Sequence, residues 1–300
     1  MSAPGATLDL AGFPLPTVDR RDALAAQLRA WRGCRERIAL VPTMGNLHAG
    51  HLALVECARQ HAARVVVSIF VNPTQFGPDE DYARYPRTLA ADVAALTGVG
   101  ADLVFAPSAA QMYPHGLPAS VALRFPHLDD ILCGALRPGH FGGVGLVVAK
   151  LLNLIAPDVA IFGAKDYQQV LVVRALAEGL DLPVEIIVAP TVREADGLAL
   201  SSRNQYLSPA ERAKAPAIYA ELRAMAQGVG AGAPLAGLEA AALAALTAQG
   251  FAPDYAVVRA ADTLGAPAPG ARQHVVALIA ARLGTTRLID NLLIDQENDQ

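Results

Sequence analysis

Hydrophobic and polar positions follow different patterns on the two sides of Pro190. Before it, short apolar runs typical of strands buried on both faces alternate with longer segments whose apolar residues recur at helical spacing. Strands that alternate with helices in this way predict a parallel sheet with right-handed crossovers. The apolar runs cover 37–41, 64–71, 101–105, 158–162 and 184–189, and the helical segments cover 17–31, 47–60, 88–97, 143–155 and 166–178.

After Pro190, helical segments come first and strand-like runs follow. Ser208-Pro-Ala-Glu211 is a capping box, which predicts a helix continuing to about Gln227. A further helix is predicted at 238–249, and the short connections between the last runs predict an antiparallel sheet. We therefore predict an α/β fold with a parallel-sheet domain at 1–191 and a smaller α+β domain, helices plus a three-stranded antiparallel sheet, at 192–300. The three strand-like runs are 254–260, 274–281 and 286–294.

The composition excludes several classes of protein. Of the 300 residues, 53% are apolar, enough for a large core, and the net charge of −4 gives no general attraction to nucleic acid. No apolar run approaches the roughly 20 residues that a membrane helix needs. Cys34, Cys57 and Cys133 show no C-x-x-C spacing, and Met1–Thr17 lacks the basic start and apolar core of a signal peptide. We expect a soluble cytoplasmic protein that binds neither nucleic acid nor membranes.

The segment from Val41 to His51, Val-Pro-Thr-Met-Gly-Asn-Leu-His-Ala-Gly-His, combines a strand end, a glycine turn and a helix start. We expect Pro42 to end the strand and Gly45 to form the turn. His48 and His51 are three positions apart, so both imidazoles lie on one face of the first helical turn. The unpaired N–H groups and the dipole of a helix start favour anions, so this pattern predicts a seat for a nucleotide phosphate.

The histidine pair has two other interpretations, a surface pair and two ligands of a metal site. The preceding strand and glycine turn argue against a surface pair. Only Ala49 and Gly50 separate the histidines, and the cysteines are scattered, so the further ligands of a zinc site are missing and zinc is not expected.

Polar residues also follow a later predicted strand, in Gly163-Ala-Lys-Asp166. Lys165 suits a polyphosphate, although a lysine at a strand end is ordinarily just solvated. Asp166 can cap the next helix or bind a ribose hydroxyl or a metal. Gln168 and Gln169 begin that helix and can orient a hydroxyl or a carboxylate.

Three further loops contain polar residues that are candidates for binding or catalysis. Leu200-Ser-Ser-Arg-Asn204 is either a phosphate clamp or an ordinary loop. Arg137–Gly143 is rich in glycine but lacks the Lys-Ser/Thr of a P-loop, so we expect a mobile lid or wall. The acidic run Asp79-Glu-Asp81 is expected to be solvent-exposed, whereas Asp92 is better placed to lie near a bound Mg²⁺.

Segments along most of the chain match one known family in order. The chain resembles the pantothenate synthetases, also called pantoate–β-alanine ligases, of the nucleotidyltransferase superfamily with the His-x-Gly-His signature. The matching segments are Pro42-Thr-Met-Gly-Asn-Leu-His-Ala-Gly-His51, Ile69-Phe-Val-Asn-Pro-Thr-Gln-Phe-Gly77, Tyr85-Pro-Arg-Thr88, Arg137-Pro-Gly-His-Phe141, Lys165-Asp-Tyr-Gln-Gln169, Val192-Arg-Glu-Ala-Asp-Gly197, Ser201-Ser-Arg-Asn204 and Arg287-Leu-Ile-Asp-Asn291.

The resemblance implies a Rossmann-like domain that binds ATP and pantoate, a smaller C-terminal lid domain, and a homodimer. It also implies an activity: ATP-dependent condensation of pantoate with β-alanine through a pantoyl adenylate, giving pantothenate, AMP and pyrophosphate. ATP would be a substrate accompanied by Mg²⁺, and no organic cofactor would be bound. The partners would be these small molecules.

The resemblance further assigns residues to the reaction. His51 would be the proton donor, with His48 beside it on the phosphates and Lys165 and Arg203 supplying positive charge. Gln75 would hold pantoate and β-alanine. The ATP-binding residues would be Met44, Gly45, Asn46, Leu47, His48, Ala49, Gly50, His51, Gly163, Ala164, Lys165, Asp166, Val192, Leu200, Ser201, Ser202 and Arg203. The other substrate-binding residues would be Gln169 for pantoate, then Asn72, Thr43, Tyr85, Arg137 and His140; Asp92 would bind Mg²⁺.

The chain departs from the family pattern at Ala164, where glutamate is usual, at Leu200, where methionine is common, and at Ala91, where a second acidic residue often precedes Asp92. Two alternative functions stay open. A related enzyme that stops at adenylyl transfer to a phosphate would need no β-alanine, and a nucleotide-sensing regulator would bind ATP without turnover.

Overall fold

The computed structural model describes residues 10, 12–77, 80–117 and 119–295. The chain forms two compact units. Of the described residues, the first unit comprises those up to Gly163 together with Val172–Ala189, and the second comprises Ala164–Leu171 together with those from Pro190 onward.

The first unit contains a six-stranded sheet in which every pair of neighbours is parallel, in the order β1-β4-β3-β2-β5-β6. The predicted parallel sheet is confirmed. The central strands carry almost unbroken runs of buried side chains, because helices cover both faces. The strands are β1 (Thr17–Val18), β2 (Ile38–Thr43), β3 (Arg64–Ile69), β4 (Leu103–Phe105), β5 (Val159–Gly163) and β6 (Glu185–Ala189).

Seven α-helices lie between these strands in the described part of the chain, three of them in succession between β4 and β5. Tyr167–Leu171, the start of α7, belongs to the second unit and the remainder of that helix to the first. The helices are α1 (Arg21–Gly33), α2 (Ala49–His61), α3 (Leu89–Gly98), α4 (Ala109–Met112), α5 (Leu132–Leu136), α6 (His140–Ile155) and α7 (Tyr167–Gly179).

Two details of this unit correct the sequence prediction. The helix predicted from Thr17 begins only at Arg21, because Thr17 and Val18 pair with β4 as a short edge strand. Strand β2 does not stop at Pro42 but continues to Thr43. Thr43 stays in the sheet because its carbonyl accepts the Phe70 N–H at 3.1 Å and its hydroxyl donates to the Ser68 carbonyl at 2.8 Å.

The second unit packs helices against a three-stranded antiparallel sheet in the order β7-β8-β9, as predicted. The capping box is present, with the Glu211 N–H donating to Ser208 Oγ and the Ser208 N–H to Glu211 Oε2. The helix predicted to reach Gln227 is interrupted at Pro216, which has no N–H to continue the hydrogen-bond ladder. The elements are α8 (Pro209–Lys214), α9 (Ala217–Gly230), α10 (Leu235–Ala248), β7 (Ala252–Ala260), β8 (Val275–Leu283) and β9 (Thr286–Ile294).

Across the described ranges, no helix is both long enough and apolar enough to cross a membrane.

Candidate active site

The strand order of the first unit reverses at β2. From β2 the chain passes through α2 to β3 on one side, whereas β5 pairs with the other side of β2. Ligands of open α/β sheets bind at the carboxyl ends of the strands where the order reverses in this way. The turn that follows Thr43 leaves the sheet at this position.

Two imidazoles cap the start of α2. His48 is the N-cap residue, and its Nδ1 accepts the Gly50 N–H at 3.2 Å, while Nδ1 of His51 accepts the His48 N–H at 3.3 Å. The ring centroids lie 4.0 Å apart. Because a backbone N–H can only donate, both Nδ1 atoms are acceptors, and each neutral ring carries its proton on Nε2. The predicted pair is therefore a pair of oriented Nε2–H donors.

The turn before the histidines is held by the carboxylate of Asp92. Gly45 and Asn46 both have positive φ, 80° and 53°, so the backbone curls left-handed through the turn. Asp92 Oδ1 accepts the Leu47 N–H at 2.8 Å, and Oδ2 accepts the Asn46 N–H at 3.0 Å and the Thr88 hydroxyl at 3.1 Å. A Cβ on Gly45 would lie 3.0 Å from Oδ2, so only glycine fits without displacement.

This geometry does not fit the predicted role of Asp92 as a magnesium ligand. The residue is 3% exposed, and three protein donors already bind its two oxygens. Within the described residues, no three or more His, Cys, Asp or Glu side chains are grouped so that they could hold a metal ion.

Gln75 lies beside this turn, on the 3₁₀ turn Pro73–Gln75 that follows β3. Its Nε2 contacts Met44 Sδ at 2.8 Å, and its Oε1 accepts from Asn72 Nδ2 at 3.2 Å. Asn72 is 1% exposed, and its Oδ1 accepts the Tyr113 hydroxyl at 2.8 Å. Asn72 is thus a buried support for Gln75, a role that its position in a loop sequence did not indicate.

Arg137 and His140 hold the backbone of Gln75. Arg137 Nη1 lies 2.8 Å from His140 Nε2, and His140 Nδ1 lies 2.8 Å from the Gln75 carbonyl oxygen. Since a guanidinium cannot accept, Nε2 of His140 is the acceptor and Nδ1–H donates to Gln75. Arg137 also binds Glu80 through two hydrogen bonds, at 2.6 and 2.5 Å.

The prediction that the acidic run is exposed is wrong for Glu80, whose side chain is 26% exposed and paired with Arg137. Burial raises the pKa of Glu80, but the hydrogen bonds and positive charge of Arg137 outweigh it, so the pKa lies below its ordinary value. Asp79 lies outside the described residues. No local pattern could have indicated the pair, because Glu80 and Arg137 are far apart along the chain.

Gly143 lets α6 approach the Gln75 turn closely. A Cβ at this position would lie 2.0 Å from the Thr74 carbonyl oxygen and 2.9 Å from the Gln75 N. His140 to Gly143 form the first turn of α6, so this half of the predicted Arg137–Gly143 loop is helical. The lid assignment of this segment stays a prediction.

Thr43 and Tyr85 also have structural contacts. Thr43 Oγ1 accepts the Gly45 N–H at 3.2 Å, which shapes the turn after β2. The Tyr85 ring is 6% exposed and packs edge-on against Phe76, with ring centroids 5.9 Å apart.

Gly163 ends β5 in the first unit, and the second unit holds the remaining predicted residues. Ala164–Asp166 form a 3₁₀ turn, with Gln169 in the first turns of α7. Val192 and Leu200 are joined by a hydrogen bond from the Leu200 N–H to the Val192 carbonyl at 3.0 Å. Ser201 caps the 3₁₀ turn Ser202–Tyr206, its Oγ accepting the Arg203 N–H at 3.3 Å.

Comparison with known proteins decides the family. The sequence profile of the pantoate-beta-alanine ligase family matches residues 16–293. The chain belongs to the pantoate–β-alanine ligase family. It is an enzyme, a carbon–nitrogen ligase of pantothenate biosynthesis, and the sequence resemblance is confirmed.

Curated relatives and solved structures agree with this assignment. Pantothenate synthetase of Shewanella amazonensis is 53% identical over 275 residues, covering 92% of this chain and 98% of the relative. That of Chromohalobacter salexigens is 56% identical over 272 residues, covering 90% and 95%. The crystal structure of the Thermus thermophilus enzyme matches with a TM-score of 0.88 at 48% identity, covering 94% of this chain and 100% of that one.

A pantoate–β-alanine ligase from Francisella tularensis, solved in complex with Beta-gamma ATP and Beta-alanine, matches with a TM-score of 0.78. It is 33% identical, and the match covers 93% of this chain and 97% of that one.

Proposed function

We propose that the protein condenses (R)-pantoate with β-alanine in two steps that share one acyl adenylate. In the first, a pantoate carboxylate oxygen attacks the α-phosphorus of ATP, forming pantoyl adenylate and releasing pyrophosphate. In the second, the amine of β-alanine attacks the acyl carbon, AMP leaves and the nitrogen loses a proton. The products are pantothenate, AMP and pyrophosphate.

The observation that carries this proposal is the orientation of the two imidazoles at the start of α2. Both Nδ1 atoms accept backbone N–H groups, so both rings present Nε2–H donors at the helix end that favours anions. The first step brings a carboxylate against a polyphosphate, and donors fixed in advance stabilise the charge that develops. We assign His51 to proton donation and His48 to the phosphates.

The other residues are assigned by their match to the family. Lys165 and Arg203 supply positive charge to ATP, Gln75 holds pantoate and β-alanine, and Gln169 holds pantoate. For Gln75 the structure adds support, because its amide is fixed between Met44 and Asn72 beside the β2 turn. The remaining ATP contacts are proposed for Met44–Gly50, Gly163–Asp166, Val192 and Leu200–Ser202.

Several properties complete the proposal. Mg²⁺ is proposed to arrive with the ATP phosphates and not on Asp92. The covering segments are Gln75–Tyr85 and Arg137–Gly143, since an acyl adenylate needs protection from water. A homodimer is proposed from the family resemblance, whereas a domain division at Thr191 and a cytoplasmic location are proposed from the pattern and composition of the sequence.

The Francisella tularensis structure was solved in complex with Beta-gamma ATP and Beta-alanine, which supports the proposed substrates of this chain. The deciding experiment measures pyrophosphate released from ATP and Mg²⁺ with (R)-pantoate, in the presence and absence of β-alanine. We expect a burst equal to the enzyme concentration without the amine, and steady turnover to AMP with it.

Two other outcomes would contradict this proposal and indicate a different function. Steady pyrophosphate release that ignores β-alanine would indicate a different acceptor, as in an adenylyltransferase. ATP binding with no pyrophosphate under any combination of substrates would indicate a nucleotide-binding regulator. Light scattering of the purified protein tests the dimer separately.

A further inference from the structure

Two family-matching segments of the second unit, Val192–Gly197 and Arg287–Asn291, contain residues with no assigned contact to a substrate. Asn291 ends the second segment, lies within β9 and is 6% exposed. Its Nδ2 donates to the Ala164 carbonyl at 2.9 Å and to the Lys165 carbonyl at 2.9 Å. Both N–H groups of one buried amide are therefore used on the short turn that carries Lys165.

Asn291 is itself held by an ion pair. Arg193 Nη1 donates to Asp290 Oδ2 at 2.5 Å, and Nη2 donates to Oδ1 at 3.0 Å and to the Asn291 carbonyl at 3.2 Å. The Asn291 N–H donates to Asp290 Oδ1 at 2.8 Å. The Arg193 guanidinium also stacks on Tyr219, with Cζ 3.8 Å from the ring centroid. This bidentate, stacked geometry specifies arginine.

The turn itself has little regular structure to hold it. Ala164–Asp166 is a three-residue 3₁₀ turn between β5 and α7. On its far side, the Tyr167 hydroxyl donates to the Ala261 carbonyl at 3.0 Å, so side-chain contacts fix both ends of Lys165–Tyr167. A backbone fixed in this way sets the origin and direction of the flexible lysine stem.

We propose that Asn291 is a positioning residue for Lys165, and that the Arg193–Asp290 pair keeps Asn291 in place for this task. This inference rests on the proposed role of Lys165 at the ATP phosphates. Asn291 touches no reacting atom and acts through the two carbonyls. Its effect is smaller than that of Lys165, because the lysine stem can partly compensate for a shifted backbone.

The test is a double-mutant cycle with Asn291→Ala and Lys165→Ala, read out by the pyrophosphate burst rate, the KM for each substrate and the Kd for ATP from calorimetry. We expect Asn291→Ala to lower the burst rate at sub-saturating ATP by about 10-fold to 100-fold and leave the KM for β-alanine unchanged. In the Lys165→Ala background, the same change should alter the burst rate or the Kd by less than about 2-fold.

Three further variants extend the double-mutant cycle. Asn291→Asp keeps the shape but faces two carbonyl oxygens with a carboxylate, so it should lower the rate at least as much as Asn291→Ala. The matched control is Asn153→Ala on α6, where the amide donates to the Ala149 carbonyl of its own helix, and the rate should stay at the wild-type value. If the Asn291 variants do not fold, Arg193→Lys tests the same coupling, because it keeps the charge and loses the bidentate contact.

The outcomes distinguish a failure of the positioning role of Asn291 from a failure of the proposed role of Lys165. Effects of Asn291→Ala and Lys165→Ala that multiply, or a loss spread equally over the KM values of all substrates, would overturn the positioning role. A Lys165→Ala variant with the wild-type burst rate would instead overturn the proposed role of Lys165.

Discussion

The turns after β2 and β5 are both anchored by a side chain from far along the chain, but with opposite hydrogen-bonding character. After β2, the carboxylate of Asp92 accepts the N–H groups of Asn46 and Leu47. After β5, the amide of Asn291 donates to the carbonyls of Ala164 and Lys165.

The difference follows from the backbone that each anchor meets. The first turn curls through left-handed residues and presents two N–H groups to its anchor, so only an acceptor satisfies them. The 3₁₀ turn presents two carbonyls to its anchor, so only a donor satisfies them. Aspartate and asparagine have nearly the same shape, so exchanging them would damage each turn through changed hydrogen bonding and charge, not through changed packing.

The largest effect is expected when an imidazole that follows the β2 turn is removed and the Asp92 anchor of that turn is left intact. His51→Ala and His48→Ala should each lower the rate of pyrophosphate formation by about 10²–10³, the usual loss for one donor at a developing charge. Single-turnover kinetics with labelled ATP measures this rate.

His61→Ala, an exposed histidine near the end of the same helix, is the matched control and should keep the wild-type rate. Both active-site variants should give the wild-type circular dichroism spectrum. Wild-type turnover by either of these folded variants would refute the assignment of the imidazoles.

An intermediate effect is expected where the first anchor loses its charge. Asp92→Asn leaves buried N–H donors without a full acceptor set, so we expect a free energy of unfolding lower by about 1–3 kcal/mol and a slower burst. Urea unfolding and the burst assay measure the two effects. Thr88→Val removes only the hydroxyl donor and should lower both quantities less.

The Asp92→Asn variant also decides whether Asp92 is an anchor of the turn or a metal ligand. The Mg²⁺ concentration for half-maximal rate should be the same in Asp92→Asn as in the wild type, because the carboxylate binds backbone in this structure. A large increase in that concentration would restore the magnesium role.

The histidine pair and the two sheets could be predicted because their signals are local. Burial on both faces leaves an apolar run, and two histidines three apart fall on one helical face whatever the rest of the chain does. The edge strand Thr17–Val18 was missed because two residues are too short to show any period.

The anchors could not be predicted for a different reason. Asp92 and Asn291 are ordinary residues within a helix and a strand, and their roles depend on turns far away in the sequence. Family resemblance marked the segment that ends at Asn291 but gave its residues no task. Only the three-dimensional contacts distinguish Asp92 as an anchor from Asp92 as a metal ligand.

The smallest effect is expected at a third, charged anchor, the Glu80–Arg137 pair that supports Gln75 together with His140. The pKa of Glu80 is lowered in the folded protein from 4.5, so the pair stabilises the fold above that pH and the contribution is lost as the pH falls through the folded-state pKa. Glu80→Gln should lower the free energy of unfolding by about 1 kcal/mol at pH 7, since the pair is partly exposed.

The difference between Glu80→Gln and the wild type should shrink below pH 4.5, and urea unfolding at a series of pH values measures it. Glu178→Gln, at an exposed position on α7, is the control and should show little difference at any pH. The asparagine anchor has no proton to gain, so the cost of Asn291→Ala should change little across the same range. If the loss of unfolding free energy in Glu80→Gln were independent of pH, the pair would stabilise the fold by its shape and not by its charge. The pair would then be an uncharged type of anchor, as Asn291 is.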